Sequence, residues 1–543
     1  MSWNYSEAVD RLGSGPVADR VAIHHDGEDI SFGELRRRCR GIAAWLQEQG
    51  LGPRVHVGHY MRNSNAYLET FLGGGLAGHA HVNVNYRYQD SELSGLCNTL
   101  DIQVLVYDAE FADCVARIRP QLVKTTVFIE VLRGEKRNEF AAGLQELYGH
   151  PDDKLVKDTA PENQILIATG GTTGLPKGTQ WRQTDVWHKM SLWATGAMEQ
   201  AGLPGPPDTL DDFLAALYAV PPIAPVFPMC PLMHGTGLLA AISALAQGTT
   251  VVTTANPHLD PDECLDIVAR YKVGRIVIVG DAFAMPLLDT AESRGDGALD
   301  SLNSVVSSGA ILSEESRRRF LAINPDMIVF DTFGSSEAIG IGIATSESGV
   351  FIPLRGTRVF DDEMQEVQPG DGRIGMAYSG GYSPIGYYNE PEKSAETFVT
   401  IDGKPYVRTG DRCRVREDGK LELLGRDSTV VNSGGEKIYT VEVEKELMGF
   451  PGIADAVVIG LPHPRFGKAV AAVVEGPGIS DESIDVDAIQ SFLRDRLAGY
   501  KVPRHIYVTG VAMRYANGKP DYAAIQVFAE ERRAQEESAA GTG

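Results

Sequence analysis

Apolar residues recur at helical spacing soon after the start of the chain. Leu35, Cys39, Ile42, Ala43 and Leu46 follow the capping box Ser31-Phe32-Gly33-Glu34 and predict a helix over about 32–49. Gly50-Leu51-Gly52-Pro53 stops it, residues 55–60 read as a strand, and residues 65–76 as the next helix. Further on, Gln164-Ile165-Leu166-Ile167-Ala168 and Met327-Ile328-Val329-Phe330 predict buried strands, each running into a polar loop of small residues. A helix at 441–448 and a strand at 456–460 follow near the C-terminus. Alternation of this kind predicts an α/β fold. Residues 201–228, rich in Pro, Gly and Asp around a short helical piece at 210–217, read as a surface insertion. The charged, small-residue stretch 530–543 reads as a flexible tail that frays.

At 543 residues the chain exceeds what one core holds, and 43% hydrophobic content supports packing throughout. The net charge of −23 argues against nucleic acid and anionic lipid as partners, so a site for a polyphosphate must build its own local positive potential. Six dispersed cysteines form no CxxC pair and have no histidine at zinc-ligand spacing, so reduced, structural thiols are expected. The first residues lack a basic region followed by an apolar core, and no apolar run approaches membrane-spanning length. The expectation is a cytoplasmic protein with no transmembrane segment.

Chemistry concentrates in Thr169-Gly170-Gly171-Thr172-Thr173-Gly174-Leu175-Pro176-Lys177-Gly178. The glycines free backbone N–H groups to face an anion, the hydroxyls add donors, and Lys177 adds a mobile cation. Lys177 lies between Pro176 and Gly178, which departs from the Gly-Lys-Ser/Thr of a P-loop NTPase. Gly73-Gly74-Gly75-Leu76-Ala77-Gly78 has the form GxGxxG but follows a helical segment, so close helix packing is expected there rather than NAD or FAD. His79 and His81 alternate on a predicted strand and are assigned no chemistry. Neither GxSxG nor HExxH occurs, which leaves hydrolase chemistry without a starting point.

The 169–178 segment resembles the signature loop of the AMP-forming adenylating enzymes: acyl-CoA synthetases, nonribosomal adenylation domains and luciferase. Other segments resemble the family's motifs in order. Asp331-Thr332-Phe333-Gly334-Ser335-Ser336-Glu337 is similar to YGxTE, with Phe333 for Tyr and Ser336 for Thr; Ser307-Ser308-Gly309-Ala310 to the adenine segment; and Val407-Arg408-Thr409-Gly410-Asp411 to YRTGD. Pro231-Leu232-Met233-His234-Gly235 resembles the segment at the acyl tunnel. Gly425-Arg426-Asp427-Ser428 resembles the junction between two domains, and Asn517-Gly518-Lys519 the C-terminal lysine motif, preceded here by Met513-Arg514-Tyr515 instead of Pro-Lys-Thr.

The resemblance implies an α/β protein with a large multi-subdomain N-terminal domain of mixed sheets (1–425), a small mobile α+β C-terminal domain (426–529) and the tail (530–543). By it, Lys519, His234 and Glu337 are catalytic, and Thr173 and Glu337 hold Mg²⁺. Thr169, Gly170, Gly171, Thr172, Thr173, Gly174, Lys177, Gly309, Ala310, Asp331, Thr332, Phe333, Gly334, Ser335, Ser336, Asp411 and Arg426 bind nucleotide. Ser433, Gly434, Gly435 and Lys437 line the CoA path, and the hinge is Asp427 or Ser428.

The implied reaction is ATP-dependent ligation of a carboxylic acid to CoA through an acyl-AMP, with Mg²⁺ as cofactor and AMP and pyrophosphate as products. Trp181-Arg182, Gly280-Asp281-Ala282-Phe283 and Asn517-Gly518-Lys519-Pro520-Asp521-Tyr522 are similar to a bacterial subgroup of fatty-acid and steroid-side-chain CoA ligases, and point to a medium- or long-chain or bulky alicyclic acid. A stand-alone adenylating enzyme that loads a carrier protein, and a non-catalytic acyl or nucleotide sensor, are the alternatives. A homodimer stays open.

Overall fold

The computed structural model describes residues 3–132, 134, 137–158, 160, 162–169, 177–191, 207, 209–310, 312–347, 349–426, 429–433, 436–463, 467–480, 483–510, 512–515 and 520–540. They form two compact units. Met1–Ile341, Leu354–Gly356 and Ser379–Val407 make the first; Gly342–Pro353, Thr357–Tyr378 and Arg408–Gly543 make the second.

The first unit contains an eight-stranded sheet in the order Gly386–Tyr387, Lys177–Arg182, Gln164–Thr169, Ala80–Asn83, His56–Tyr60, Ile102–Asp108, Val127–Val131, Ala142–Gly143. Only Lys177–Arg182 runs against its neighbours; every other pairing around it is parallel. In a second run of strands, Val21–His25, Val251–Thr253, Val226–Pro228, Arg275–Ile278, Ser304–Ser308 and Ile328–Phe333 lie side by side and parallel. Parallel strands leave their C-terminal ends on one edge, where ligands of such sheets bind.

One core joins these elements, from Ile23, Leu35 and Ile42 through Phe71, Val104, Ile165 and Trp181 to Phe227, Leu245, Ile276 and Val305. The predicted helices are present as Phe32–Glu48, its first turn capped by the Ser31 hydroxyl accepting from Glu34 N at 3.1 Å, and Asn65–Leu76. The second is buried along its whole length after Asn65, as an all-round apolar helix must be. Its one charge, Glu69, is matched by Arg38 at 3.0 Å and by the Tyr148 hydroxyl. Gly73, Gly74 and Gly75 of the GxGxxG stretch lie in this helix, with Gly78 just past its end, and the helical glycines let its neighbours approach. A Cβ on Gly73 would stand 2.8 Å from Ile42 Cγ2 and 3.0 Å from the Cys39 carbonyl, and one on Gly75 2.2 Å from Ser6 Oγ. The stretch read as a surface insertion is partly internal: Phe213, on the helix Leu210–Tyr218, packs on Trp3 and Trp187 with ring centroids 5.2 and 5.1 Å away.

The second unit has separate cores. Val359, Val367, Ala377, Cys413, Val415 and Leu421 form one. The others flank a sheet of Glu436–Ile438, Val431–Ser433, Gly467–Glu475 and Asp455–His463, with His505–Val508 beside Gly467–Glu475. Strand alternation sorts the side chains: Ala456 and Val458 meet the helices Thr440–Met448 and Val486–Arg494, while Val457, Ile459 and Leu461 meet Ile525 and Ala529 of the helix Tyr522–Ala540. The expected boundary after residue 425 falls inside this unit, in the strand Leu421–Arg426.

The tail is a correction. Instead of fraying from residue 530, the chain stays helical to Ala540, because Ile525 and Ala529 anchor one face while Glu536 accepts from the Tyr507 hydroxyl at 3.1 Å and Arg533 donates to the Pro462 carbonyl. Nearby, Arg514 forks onto Asp455 at 2.6 and 2.8 Å; its backbone bridges Pro520, and Asp521 N donates to the Met513 carbonyl at 2.9 Å. Among the described residues no helix is long and apolar enough to cross a membrane.

Replacing Gly73 with leucine is expected to lower the urea unfolding midpoint by the equivalent of about 1–3 kcal/mol, the usual cost of overpacking. The fold itself should persist, with a far-UV circular dichroism spectrum like the parent's, since these glycines serve helix packing.

Candidate active site

The hairpin that begins with the buried strand Gln164–Thr169 is the centre of the site. Thr169 pairs with Lys177 and Ala168 with Gly178, so the two ends of the glycine-threonine loop emerge side by side. Gly170, Gly171, Thr172, Thr173 and Gly174 lie outside the described residues, as does the side chain of Thr169. Asn83 fixes the strand below the loop: its amide oxygen accepts from Ala168 N at 2.6 Å, while its amide nitrogen donates to the carbonyls of Ala168 at 3.2 Å and Met233 at 2.6 Å. One buried side chain thus joins the loop-bearing strand to the segment that carries His234. His234 is the N-cap of the helix Gly235–Ala246. Asn63 holds the same segment by donating to the Cys230 carbonyl at 3.1 Å and accepting from Leu232 N at 2.7 Å.

Two adjacent parallel strands of the second run, Ser304–Ser308 and Ile328–Phe333, pair with Ser307 opposite Asp331 and Ser308 opposite Thr332. Hydroxyls lock them together: Ser308 Oγ donates to the Thr332 carbonyl and Thr332 Oγ1 to the Ser307 carbonyl, both at 3.2 Å. Past the first strand, Gly309 turns at φ +94° and leaves itself exposed, with Ala310 half-buried. Past the second, the chain folds tightly, since a Cβ on Gly334 would lie 2.9 Å from the Ala338 carbonyl. Ser335 N donates to that same carbonyl at 3.0 Å, and Phe333 packs against the cluster of Ala338, Ile341 and Val407. Asp331 is buried, and loss of hydration pushes its carboxyl up to about 6 against an opposing hydrogen bond from Ser307.

The glycine-threonine hairpin and the 331–337 loop meet through two aromatic residues. Trp181 Nε1 donates to the Ser336 carbonyl at 2.7 Å. Tyr387, paired with Thr179 across the neighbouring strand, donates its hydroxyl to Glu337 Oε1 at 3.0 Å and carries Lys177 Nζ 5.1 Å from its ring centroid. Among the described residues neither Lys177 nor Glu337 has an ion-pair partner of its own. A cation and a carboxylate are held close together without neutralising one another, which suits a ligand carrying both negative charge and a bound cation. Among the described residues no group of three His, Cys, Asp or Glu side chains gathers as a metal site. A single half-buried carboxylate still fits Mg²⁺, which keeps waters and takes its other oxygens from phosphates.

In the second unit, Asp411 is buried and stands opposite Arg426 on adjacent antiparallel strands, just past Gly410, which has φ +81° within the strand Lys404–Val415. Asp411 N donates to Thr409 Oγ1 at 3.1 Å, and that hydroxyl donates to the Ala377 carbonyl at 2.9 Å. Ser433 and Lys437 lie on the two arms of a hairpin, with Ser433 paired to Glu436 and Asn432 to Lys437. The side chains of Arg426 and Lys437, and residues Asp427, Ser428, Gly434, Gly435 and Lys519, are outside the described set.

Tyr387, Asn83 and Asn63 are contributors that sequence reasoning missed. Only Tyr387 had a local sign, an aromatic pair just before Pro391 at a helix start.

Two family models match the chain, AMP-binding enzyme over residues 14–388 and AMP-binding enzyme C-terminal domain over residues 442–519. A medium/long-chain-fatty-acid–CoA/3-oxocholest-4-en-26-oate–CoA ligase of Mycolicibacterium smegmatis is 36% identical over 542 residues, covering 96% of this chain and 95% of the relative. A 3-oxocholest-4-en-26-oate–CoA ligase of Rhodococcus rhodochrous is 34% identical, covering 93% and 92%. The crystal structure of an anthranilate CoA ligase in complex with anthranoyl-AMP matches with a TM-score of 0.79 at 21% identity, covering 99% of this chain and 98% of that one, and shows the same fold.

Asp331 gives the site a pH signature. A raised carboxyl pKa means that, between about pH 4 and 6, the folded protein keeps a proton that the unfolded chain has released, so stability falls as pH rises through that window. Asp331→Asn should remove this slope. Between pH 4.5 and 7 the parent is expected to lose about 2 kcal/mol relative to the variant, measured by urea unfolding at both pH values.

Proposed function

The chain belongs to the AMP-binding enzyme family, and from that premise we propose that it ligates a carboxylic acid to CoA, using ATP, through an acyl-adenylate. The acid is a medium- or long-chain fatty acid or a bulky steroid side-chain acid, in line with the named substrates of relatives at 36% and 34% identity over nearly full length. The observation that carries the chemistry is the convergence of Lys177 and Glu337 on Tyr387, opposite charges kept apart at a glycine-rich hairpin.

A carboxylate is inert toward a thiol, and it repels a triphosphate. In the first step a carboxylate oxygen attacks the α-phosphorus, and the bond to pyrophosphate breaks as the mixed anhydride forms. Lys177 and the N–H and hydroxyl donors of the 169–174 loop offset phosphate charge, with Lys519 supplied from the C-terminal domain. Mg²⁺, held by Glu337 with Thr173, would supply further charge neutralisation at the phosphates. Gly309, Ala310 and the 331–336 loop form the slot for the base; Asp411 accepts from the ribose hydroxyls, and Arg426 reaches ribose or phosphate. We assign His234 to the side of the reacting carboxylate; Asn83 and Asn63 hold the segment that carries it.

In the second step the CoA thiol attacks the adenylate carbonyl and AMP departs. We assign residues 426–529 as the domain that turns about Asp427 or Ser428 between the steps, withdrawing Lys519 and bringing Ser433, Gly434, Gly435 and Lys437 to the pantetheine path. The compartment we assign is the cytoplasm, where six free, buried cysteines remain reduced.

Pyrophosphate release across a panel of acids tests this. Fatty or steroid side-chain acids should be preferred over acetate and benzoate by at least ~10-fold in kcat/KM, and no release with any acid would refute adenylation. Lys519→Ala should slow adenylation by roughly 10²–10³-fold, the scale of losing one aligned charge-stabilising donor, while thioester formation from supplied acyl-AMP persists.

A further inference from the structure

Tyr387 occupies a position that the reaction scheme leaves without a role. It sits on the short edge strand Gly386–Tyr387, and its location is over-determined: Thr179 pairs with its backbone, Ser394 Oγ accepts its N–H at 2.9 Å, and its ring packs 5.1 Å from Phe398. Ser394 Oγ in turn donates to the Glu390 carbonyl at 2.6 Å. The residue is 8% exposed, so its hydroxyl and ring face are fixed features of the site wall. From that wall the phenol O–H reaches Glu337 Oε1 and the ring face receives Lys177.

We propose that Tyr387 is a positioning residue: its hydroxyl sets the Glu337 carboxylate for Mg²⁺, and its ring keeps Lys177 available to phosphate. Tyr387 has this role only if Glu337 is the Mg²⁺-holding carboxylate assigned above. The physical case is one of charge conservation at the site. Glu337 and Lys177, left to themselves, would satisfy each other in an ion pair, and neither a cation nor a polyphosphate would find its complement. A neutral phenol orients the carboxylate through Oε1 without neutralising it, and among the described residues Oε2 is left with no hydrogen bond. The ring attracts the ammonium through its π face, a contact weak enough for a phosphate to displace. A second acid or base in this place could not serve both charges at once.

Phenylalanine at this position separates the two roles, because it keeps the ring and removes only the hydroxyl. Equilibrium binding of ATP is measured by calorimetry, without metal and across a Mg²⁺ titration, alongside pyrophosphate release. Tyr387→Phe is expected to bind metal-free ATP as the parent does, but to need roughly 10–150-fold more Mg²⁺ for half-saturation, the size of losing a hydrogen bond to a charged group. Its thermal unfolding should stay near the parent's, since the packing on Phe398 is retained. Tyr387→Leu should weaken metal-free ATP binding as well, by roughly 2–5-fold, through loss of the ring under Lys177; the Phe variant carries the test if the Leu variant fails to fold.

Glu337→Gln is the control. If it leaves the Mg²⁺ requirement unchanged, the assignment of Glu337 is wrong. If it raises the requirement while Tyr387→Phe does not, the assignment stands and the role of Tyr387 is refuted. In the double variant Tyr387→Phe/Glu337→Gln, a Mg²⁺ requirement no higher than that of Glu337→Gln alone supports action through Glu337, and an additive rise refutes it.

Discussion

Reversal of one strand in an otherwise parallel sheet governs the geometry of the site. Because Lys177–Arg182 runs back along Gln164–Thr169, the glycine-threonine loop begins and ends at neighbouring positions, with Thr169 facing Lys177. A parallel continuation would need a crossover of a dozen or more residues and would carry the lysine away from the loop. The same strand pairs on its other side with Gly386–Tyr387, so a residue more than two hundred positions downstream is brought beside Lys177 by backbone hydrogen bonds. Trp181, on the buried face of this strand, reaches the carbonyl of Ser336 and so references the carboxylate loop to the hairpin.

Charge is handled in the opposite way at the site and elsewhere in the first unit. Buried Glu69 is matched by Arg38, and Asp10, almost wholly buried, faces Arg36, Arg40 and Lys157. These groups are compensated internally because an unpaired buried charge is costly. Lys177 and Glu337 instead stay half-buried and separated by a phenol, so their compensation is left to what binds. In a chain with a net charge of −23, such local arrangement is the means by which two anions can be held together.

Much of this was legible in the residues. The helices Phe32–Glu48 and Asn65–Leu76 followed from spacing and caps, and the strands Gln164–Thr169 and Ile328–Phe333 from apolar runs that end in small polar loops. What stayed hidden depends on pairings between distant segments. Asn83 looks like an ordinary polar position on a short strand, yet it joins Ala168 to Met233. Tyr387 carries no charge and stands fifty positions from the carboxylate it touches. The helix Tyr522–Ala540 was obscured for a different reason: its charged composition masks two anchors, Ile525 and Ala529, whose partners lie on a strand some seventy residues earlier.

The clasp between Arg514 and Asp455 has a mechanical consequence. Arg514 and Pro520 are bridged to one another, and Arg514 is clasped to Asp455 on the strand Asp455–His463, so one ion pair ties both residues to that strand. Any displacement of that strand is therefore passed to Arg514 and Pro520 together.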